Sequence, residues 1–423
     1  MQLRLYRLSG WRAHRLASYV YREQSFPLKL TSIQSLRALA ALLVLVYHTR
    51  AHEILAMDQN GLTELPLINF MIDNGYSGVD LFFVISGFIM VYVTGQVLPR
   101  PMTSLAFLFA RAARIYPLWW FFAGLMMAYF YVTYGVPLDP GRSLGQGDFI
   151  RENPVQHLFL SLALLPQPAI PVYGLGWTLV HEMHFYLVFA LIILLPRRFL
   201  PAILTVWAIG VFAGAMAGLA APHAIDYVSL AFHPLSLEFI GGCFAGLLVM
   251  SGRRFNPPLV LGLAAAVFIA GLIIQGEVTP FTMVWGRVLW FGLPAIAIVY
   301  ALASMEANGR LKVPGWMVTL GDWSYAIYLC HILVLSVIRR VFLMLAAQLE
   351  GTPYADWFTV GAPGIMDNIL FYLLCISLSI LTAGLVFRLF ETPVIKLTSK
   401  ARRRLFRDTN AQLKPAPVKA AIW

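Results

Sequence analysis

Residues 33–52 read IQSLRALAALLVLVYHTRAH, an apolar run whose basic residues are Arg37 near its start and His48, Arg50 and His52 near its end. At ~1.5 Å per residue a helix of this length is ~30 Å long, the thickness of the hydrocarbon core of a bilayer. A charged residue inside such a run is costly and usually marks function. Arg37 and His48 are eleven residues apart. That is close to three helical turns, so the two share a face, with His48 about 16 Å farther along the axis.

Nine further runs of this kind follow, at 78–98, 115–134, 177–195, 199–219, 227–250, 258–275, 283–303, 318–342 and 366–390. Of the 423 residues, 59% are hydrophobic and only 12% are charged. A soluble domain carries about 25% charged residues. The expected fold is therefore an all-α polytopic membrane protein, a bundle of about ten transmembrane helices. The stretch 155–175 is apolar but broken by Pro166, Pro168 and Pro171, and reads as a re-entrant or interfacial segment. Residues 1–30 form a basic lead without a signal-peptide apolar run, residues 31–395 the membrane domain, and residues 396–423 a short basic tail. The lead suits either an amphipathic helix on an anionic leaflet or a disordered segment. Cys243, Cys330 and Cys375 all fall in apolar runs and read as buried small hydrophobes rather than disulfide partners.

Charge orients the spans. With the N-terminus inside, the inner segments collect 23 of the 31 Lys and Arg, while the outer ones hold acids such as Glu53, Glu64, Asp73, Asp139, Asp226, Glu277 and Glu350. This satisfies the positive-inside rule at every inner loop, whereas a full span at 155–175 would put Arg253, Arg254 and the basic tail outside. The location implied is a bacterial inner membrane, multi-pass, with both termini cytoplasmic. The net charge of +11 then reflects topology and attraction to lipid. It is divided among loops rather than clustered on a soluble face, so no nucleic-acid partner is expected.

Polar residues inside the runs point to chemistry. In this topology His48, Asp80 in Gly78-Val-Asp80, and Glu182 in Trp177-Thr-Leu-Val-His181-Glu182-Met-His184 all belong to the outer half of the membrane. A histidine with a carboxylate beside it can take a proton from an alcohol, the carboxylate fixing the tautomer. The bland alternatives are a hydrogen-bonded buried histidine for His48 and a helix cap for Asp80. His181 and His184 are spaced i, i+3, not the i, i+4 of the zinc-protease motif, and no metal is expected. Arg111 and Arg114, also i, i+3, share a helix face and suit phosphate binding, or else serve as ordinary inner charge. Ser324, Tyr325, Tyr328 and His331 form one polar stripe, lining a substrate tunnel or tying helices together. Glu238 is a further acid inside a span. No Walker A or dinucleotide glycine pattern is present.

In order along the chain, Ser35-Leu-Arg37 with His48, Gly78-Val-Asp80 through Ser86-Gly87-Phe88, Arg111-Ala-Ala-Arg114-Ile-Tyr-Pro117, Trp177 through Tyr186, and Trp323-Ser-Tyr325 through His331 resemble the membrane-bound acyltransferase-3 family. The opening Ile33-Gln-Ser35-Leu-Arg37-Ala-Leu-Ala looks most like its exopolysaccharide O-acetyltransferase branch, the ExoZ-like proteins. The resemblance implies ten helices and an acyl-CoA donor, here acetyl-CoA, with a sugar hydroxyl as acceptor. It makes His48 the catalytic histidine, with Arg37 its intramembrane companion, and gives Arg111 and Arg114 to the donor. In the mechanism expected from these residues His48 is the base, oriented by Glu182 or Asp80, with a transient acyl-imidazole as the variant; Arg37 joins the donor arginines, and Trp177, Tyr325 and His331 are candidates for substrate contact. Many relatives carry an exported esterase-like domain after the spans. None is expected here, so acceptor delivery would rest on the membrane domain, its lipids or the polysaccharide export machinery. The rival readings are a polytopic glycolipid transporter or flippase, and a non-catalytic scaffold.

Overall fold

In hydrocarbon no water can satisfy the peptide groups, so an apolar run must close its hydrogen bonds within itself as a helix. The computed structural model describes residues 30–62, 72–95, 97–138, 147–221, 224–253, 255–274, 285–362, 364 and 366–406. Among these no strand occurs. The basic lead up to Lys29, Glu64, Asp139, Arg254, Glu277 and the tail beyond Phe406 lie outside the described residues.

The principal helices are α1 (Thr31–Asn60), α2 (Ser77–Val93), α3 (Pro101–Tyr134), α4 (Pro154–Ala163), α5 (Gly176–Ile192) and α6 (Leu200–Met216). They continue with α7 (Leu235–Met250), α8 (Pro257–Ile274), α9 (Leu293–Ala307), α10 (Gly315–Gln348), α11 (Met366–Val386) and α12 (Thr392–Leu405). π turns at Val288–Gly292 and Phe387–Glu391 lead into α9 and α12. Among the described residues eight helical stretches are long and apolar enough to cross a membrane, and α2 and α5, of 17 residues each, are apolar but shorter. The ten apolar runs of the sequence fall on these eight stretches and on α2 and α5. Cys243, Cys330 and Cys375 are buried and unbridged.

The proline-broken stretch does not form one long helix. α4 has ten residues, ~15 Å of helix, and ends at Leu164 in a left-handed conformation. The chain then runs without helix to Leu175, with Tyr173 wholly buried. Such backbone survives at depth only with its polar groups satisfied by protein. The Trp119 and Trp120 indoles donate to the Ser161 and Leu162 carbonyls, and Ser161 Oγ accepts from Val172 N and Gln167 Nε2, both at 3.0 Å.

Lipid tails are as apolar as leucine, so helix pairs hold by close packing and polar contacts. α1 packs along α10, and α2 along α7. Glycines set both seams. A Cβ at Gly321 would collide with the Gln34 carbonyl, one at Gly87 with the Phe239 carbonyl, and one at Gly242 with the Val84 carbonyl. The start of α1 is fixed from outside its own helix. The Glu306 carboxylate at the end of α9 accepts from Thr31 N and Ser32 N, each at 2.8 Å, and from Thr31 Oγ1 at 2.6 Å. That satisfies two of the orphan donors every helix start exposes.

Gly242→Val should therefore destabilise the bundle by about 1–3 kcal/mol or more, the usual cost of overpacking. Gly262→Val in α8, where a Cβ meets nothing within 4 Å, should be close to neutral. Thermal unfolding in detergent compares the two, and equal melting temperatures would remove the α2–α7 seam from the account.

Candidate active site

Five helices surround one cavity, about 800 Å³ of empty space counting its open mouth. α1 contributes Arg37, α2 Ser86, α3 Arg111 and Arg114, α5 Thr178, Glu182 and Tyr186, and α10 Tyr325 and Tyr328; the rest of the wall is apolar. The i, i+3 spacing on α3 brings both guanidiniums to this wall. Pro117, three residues beyond Arg114, lies inside the same continuous helix. Arg37 Nε donates to Ser324 Oγ at 3.1 Å, and Tyr325 OH to the Ile115 carbonyl at 2.9 Å. The Tyr186 hydroxyl donates to Glu182, four residues earlier on α5, and Ser86 Oγ lies 3.4 Å from both groups. Arg111 sits 5.8 Å from the Phe107 and Tyr186 ring centroids, and its buried Nε has no hydrogen-bond partner. Three guanidiniums thus border a cavity whose lining carries a single carboxylate, Glu182.

His48 lies outside this lining and is reached across α10. Its Nδ1 is 2.9 Å from the Val44 carbonyl and 3.2 Å from Nε2 of His331. His331 is fully buried, with its own Nδ1 3.1 Å from the Ile327 carbonyl. The Tyr328 ring, one turn before His331 and 6.0 Å from it, stands between the pair and the cavity. Its hydroxyl meets Thr178 Oγ1 at 2.7 Å.

The expected convergence of His48 with Asp80 and Glu182 is not found. Among the described residues, neither carboxylate hydrogen-bonds to His48. Asp80 is fully buried and takes two nitrogens of Arg287, Nε and Nη2, each at 2.9 Å. Nor does it cap α2, which begins without a side-chain cap. In low dielectric a buried carboxylate is held by the nearest fixed cation, and Asp80 has one. Glu238 stands within electrostatic reach of this ion pair. Gly292, in the π turn, makes room for it: a Cβ there would lie 2.8 Å from the Glu238 carboxyl. Glu182 goes to the cavity instead.

Trp177 is also elsewhere. Its ring lies 5.8 Å from the Arg287 guanidinium and lines a smaller cavity, of about 400 Å³, with His181 and the proline-broken stretch. His181 packs against His233 at 4.5 Å. Among the described residues no three His, Cys, Asp or Glu side chains lie close enough to hold a metal ion. Sequence reasoning gave no role to Arg287, Ser86, Tyr186 or the buried Arg50, which pairs with Glu53 at 2.5 Å and Asp73 at 3.3 Å, and it did not name Arg287 at all. The available signal was a lone arginine opening the apolar run Trp285-Gly-Arg287-Val-Leu-Trp.

Comparison with known proteins places this geometry. The chain is 33% identical over 293 residues to the exopolysaccharide production protein ExoZ of Rhizobium meliloti (strain 1021), covering 66% of this chain and 83% of that protein. It is 26% identical over 411 residues to the acyltransferase MdmB of Streptomyces mycarofaciens, covering 88% and 94%. Protein 2 in the picA locus of Rhizobium radiobacter is 30% identical over 173 residues, or 38% of this chain and 80% of that one. No solved structure matches. The acyltransferase-3 family model, described as an acyltransferase domain, matches residues 30–388, from the first turn of α1 to the last π turn. A match of that extent, taking in every wall of the arginine-lined cavity and the histidine pair beside it, shows that the chain belongs to the acyltransferase-3 family of membrane enzymes, which transfer acyl groups other than aminoacyl groups.

Proposed function

We propose that this acyltransferase takes an acyl group, acetyl foremost, from cytoplasmic acyl-CoA and places it on a sugar hydroxyl of an exported polysaccharide or its lipid-linked precursor. The observation that carries the reading is the cavity with Arg37, Arg111 and Arg114 in its wall, one tyrosine away from His331, which in turn contacts His48. The donor is polyanionic, and guanidiniums hold phosphates in paired hydrogen bonds. The orphaned Arg111 Nε fits such a partner. His48 is the base that takes the hydroxyl proton. The exopolysaccharide role named for the Rhizobium meliloti relative supports a glycan acceptor.

Orientation completes the proposal. Both termini lie in the cytoplasm of a bacterial inner membrane, so the basic ends of the helices, with Arg111 and Arg114, meet the compartment that contains CoA. The His48 end then faces the compartment that receives the modified glycan, and lipid-linked glycan or the export machinery brings the acceptor there.

Membranes incubated with radiolabelled acetyl-CoA should transfer label to glycan. His48→Ala should lower that rate about 10²- to 10⁴-fold, the usual worth of a general base, while the protein still accumulates. Normal ester content on the surface polysaccharide of that variant would remove His48 from the mechanism.

Arg114→Ala should raise the apparent KM for acetyl-CoA about 10- to 100-fold, matching ~1.5–3 kcal/mol for a lost charged hydrogen bond. An unchanged KM with altered insertion would make the arginine topological.

For sidedness, Glu350→Cys should react with a membrane-impermeant thiol reagent added from outside the inner membrane. Ser251→Cys should react only once that membrane is opened. Outside labelling at position 251 would invert the orientation and detach the donor arginines from the CoA compartment.

A further inference from the structure

The histidine pair across α1 and α10 has a fixed proton arrangement. Each ring turns Nδ1 toward the carbonyl four residues back on its own helix, Ile327 for His331 and Val44 for His48. A carbonyl oxygen only accepts, so His331 Nδ1 carries the proton of the neutral ring and its Nε2 is a lone pair. His48 Nδ1 therefore faces two acceptors, the Val44 oxygen at 2.9 Å and His331 Nε2 at 3.2 Å. It must be the protonated nitrogen, which leaves His48 Nε2 bare.

We infer that His331 is a positioning residue that, together with the Val44 carbonyl, holds the Nδ1–H of His48 and accepts from the imidazolium when Nε2 takes a proton. This is the part a carboxylate plays beside a catalytic histidine. A neutral imidazole can play it without a buried charge, and a charge at this depth would cost several kcal/mol. The two carboxylates that sequence suggested for the task are committed elsewhere, Asp80 to Arg287 and Glu182 to Tyr186. The inference rests on the acyl-transfer reading of His48. As the sugar oxygen attacks the thioester carbonyl carbon, its proton passes to His48 Nε2. The C–O bond forms, the C–S bond breaks, and the departing thiolate takes that proton. An ester, a free thiol and a neutral His48 remain. No proton moves to His331, whose Nδ1–H stays on the Ile327 carbonyl.

Three measurements test the pairing. The titratable groups facing it are Tyr47 and His52 on α1 and Tyr328 on α10, while Arg50 turns to Glu53 and Asp73. With radiolabelled acetyl-CoA and the glycan of native membranes, His331→Ala should lower kcat about 10- to 100-fold at unchanged donor KM, in the range seen when a histidine's supporting partner is lost. It should also move the acid limb of kcat to lower pH, because the His48 imidazolium loses an acceptor. His331→Gln, whose amide oxygen can accept, should recover rate over the alanine variant and restore the limb. Independently of any acceptor, ¹⁵N spectra of histidine-labelled protein, with His48 assigned by subtraction of His48→Ala, should show His48 protonated at Nδ1, with that resonance shifted in His331→Ala, where only the Val44 carbonyl is left to accept. A wild-type His48 protonated at Nε2, or equal rates and limbs in the alanine and glutamine variants, would overturn the inference. A fully active His48→Ala enzyme would instead overturn the acyl-transfer reading, with the spectra still reporting on the pair.

Discussion

The seam between α1 and α10 is the contact on which the rest of the site depends. The two helices run in the same direction, and Gly321 lets the backbone of α10 come up against Gln34 of α1. That approach puts Arg37 within hydrogen-bonding distance of Ser324 and, farther along, His48 within reach of His331. A side chain at position 321 would push the helices apart and loosen both contacts together. In a bilayer no hydrophobic force would draw them back. Glu306 secures the same seam from the end, because its carboxylate grips the first two residues of α1 and fixes how far the helix can slide.

Buried charge is distributed unevenly across the bundle. Toward the His48 end, Arg287 answers Asp80 and Arg50 answers Glu53 and Asp73, so those ions are matched within the protein. Around the cavity the balance tips the other way. Arg37, Arg111 and Arg114 share Glu182 and, by electrostatic reach, Glu391. A bundle that desolvates three guanidiniums for fewer carboxylates fits the proposed binding of an anionic donor there. The first arrangement stiffens the frame, and the second leaves work for a ligand.

Much of this was legible in the sequence, and the rest was hidden for a definable reason. Apolar runs mark the helices, and spacing within a run reports which residues share a face. The eleven-residue interval from Arg37 to His48 and the i, i+3 arginines of α3 were readable in that way. Pattern along one helix does not say which helix lies beside it. Asp80 and Arg287 are 207 residues apart, so the ion pair that takes Asp80 from His48 has no local signature. The stripe of Tyr325, Tyr328 and His331 was visible, but its division into a cavity wall, a partition and a histidine partner follows only from the neighbours α1, α3 and α5. The break in the 155–175 stretch was readable because its prolines speak against one long helix.

The two π turns bear on what kinds of change the chain can absorb. Each wraps an additional residue into a helix, and a helix turns by about 100° per residue. At Val288–Gly292 the offset lets Arg287 face Asp80 while Pro294, Ala295 and Val299 of α9 stay turned to the core. At Phe387–Glu391 the turn ends on buried Glu391, beyond which α12 has no buried residue. Point substitutions leave such phasing intact, whereas loss or gain of a single codon there would rotate everything on one side relative to the other. Across relatives, length should therefore be kept at these two places more strictly than residue identity.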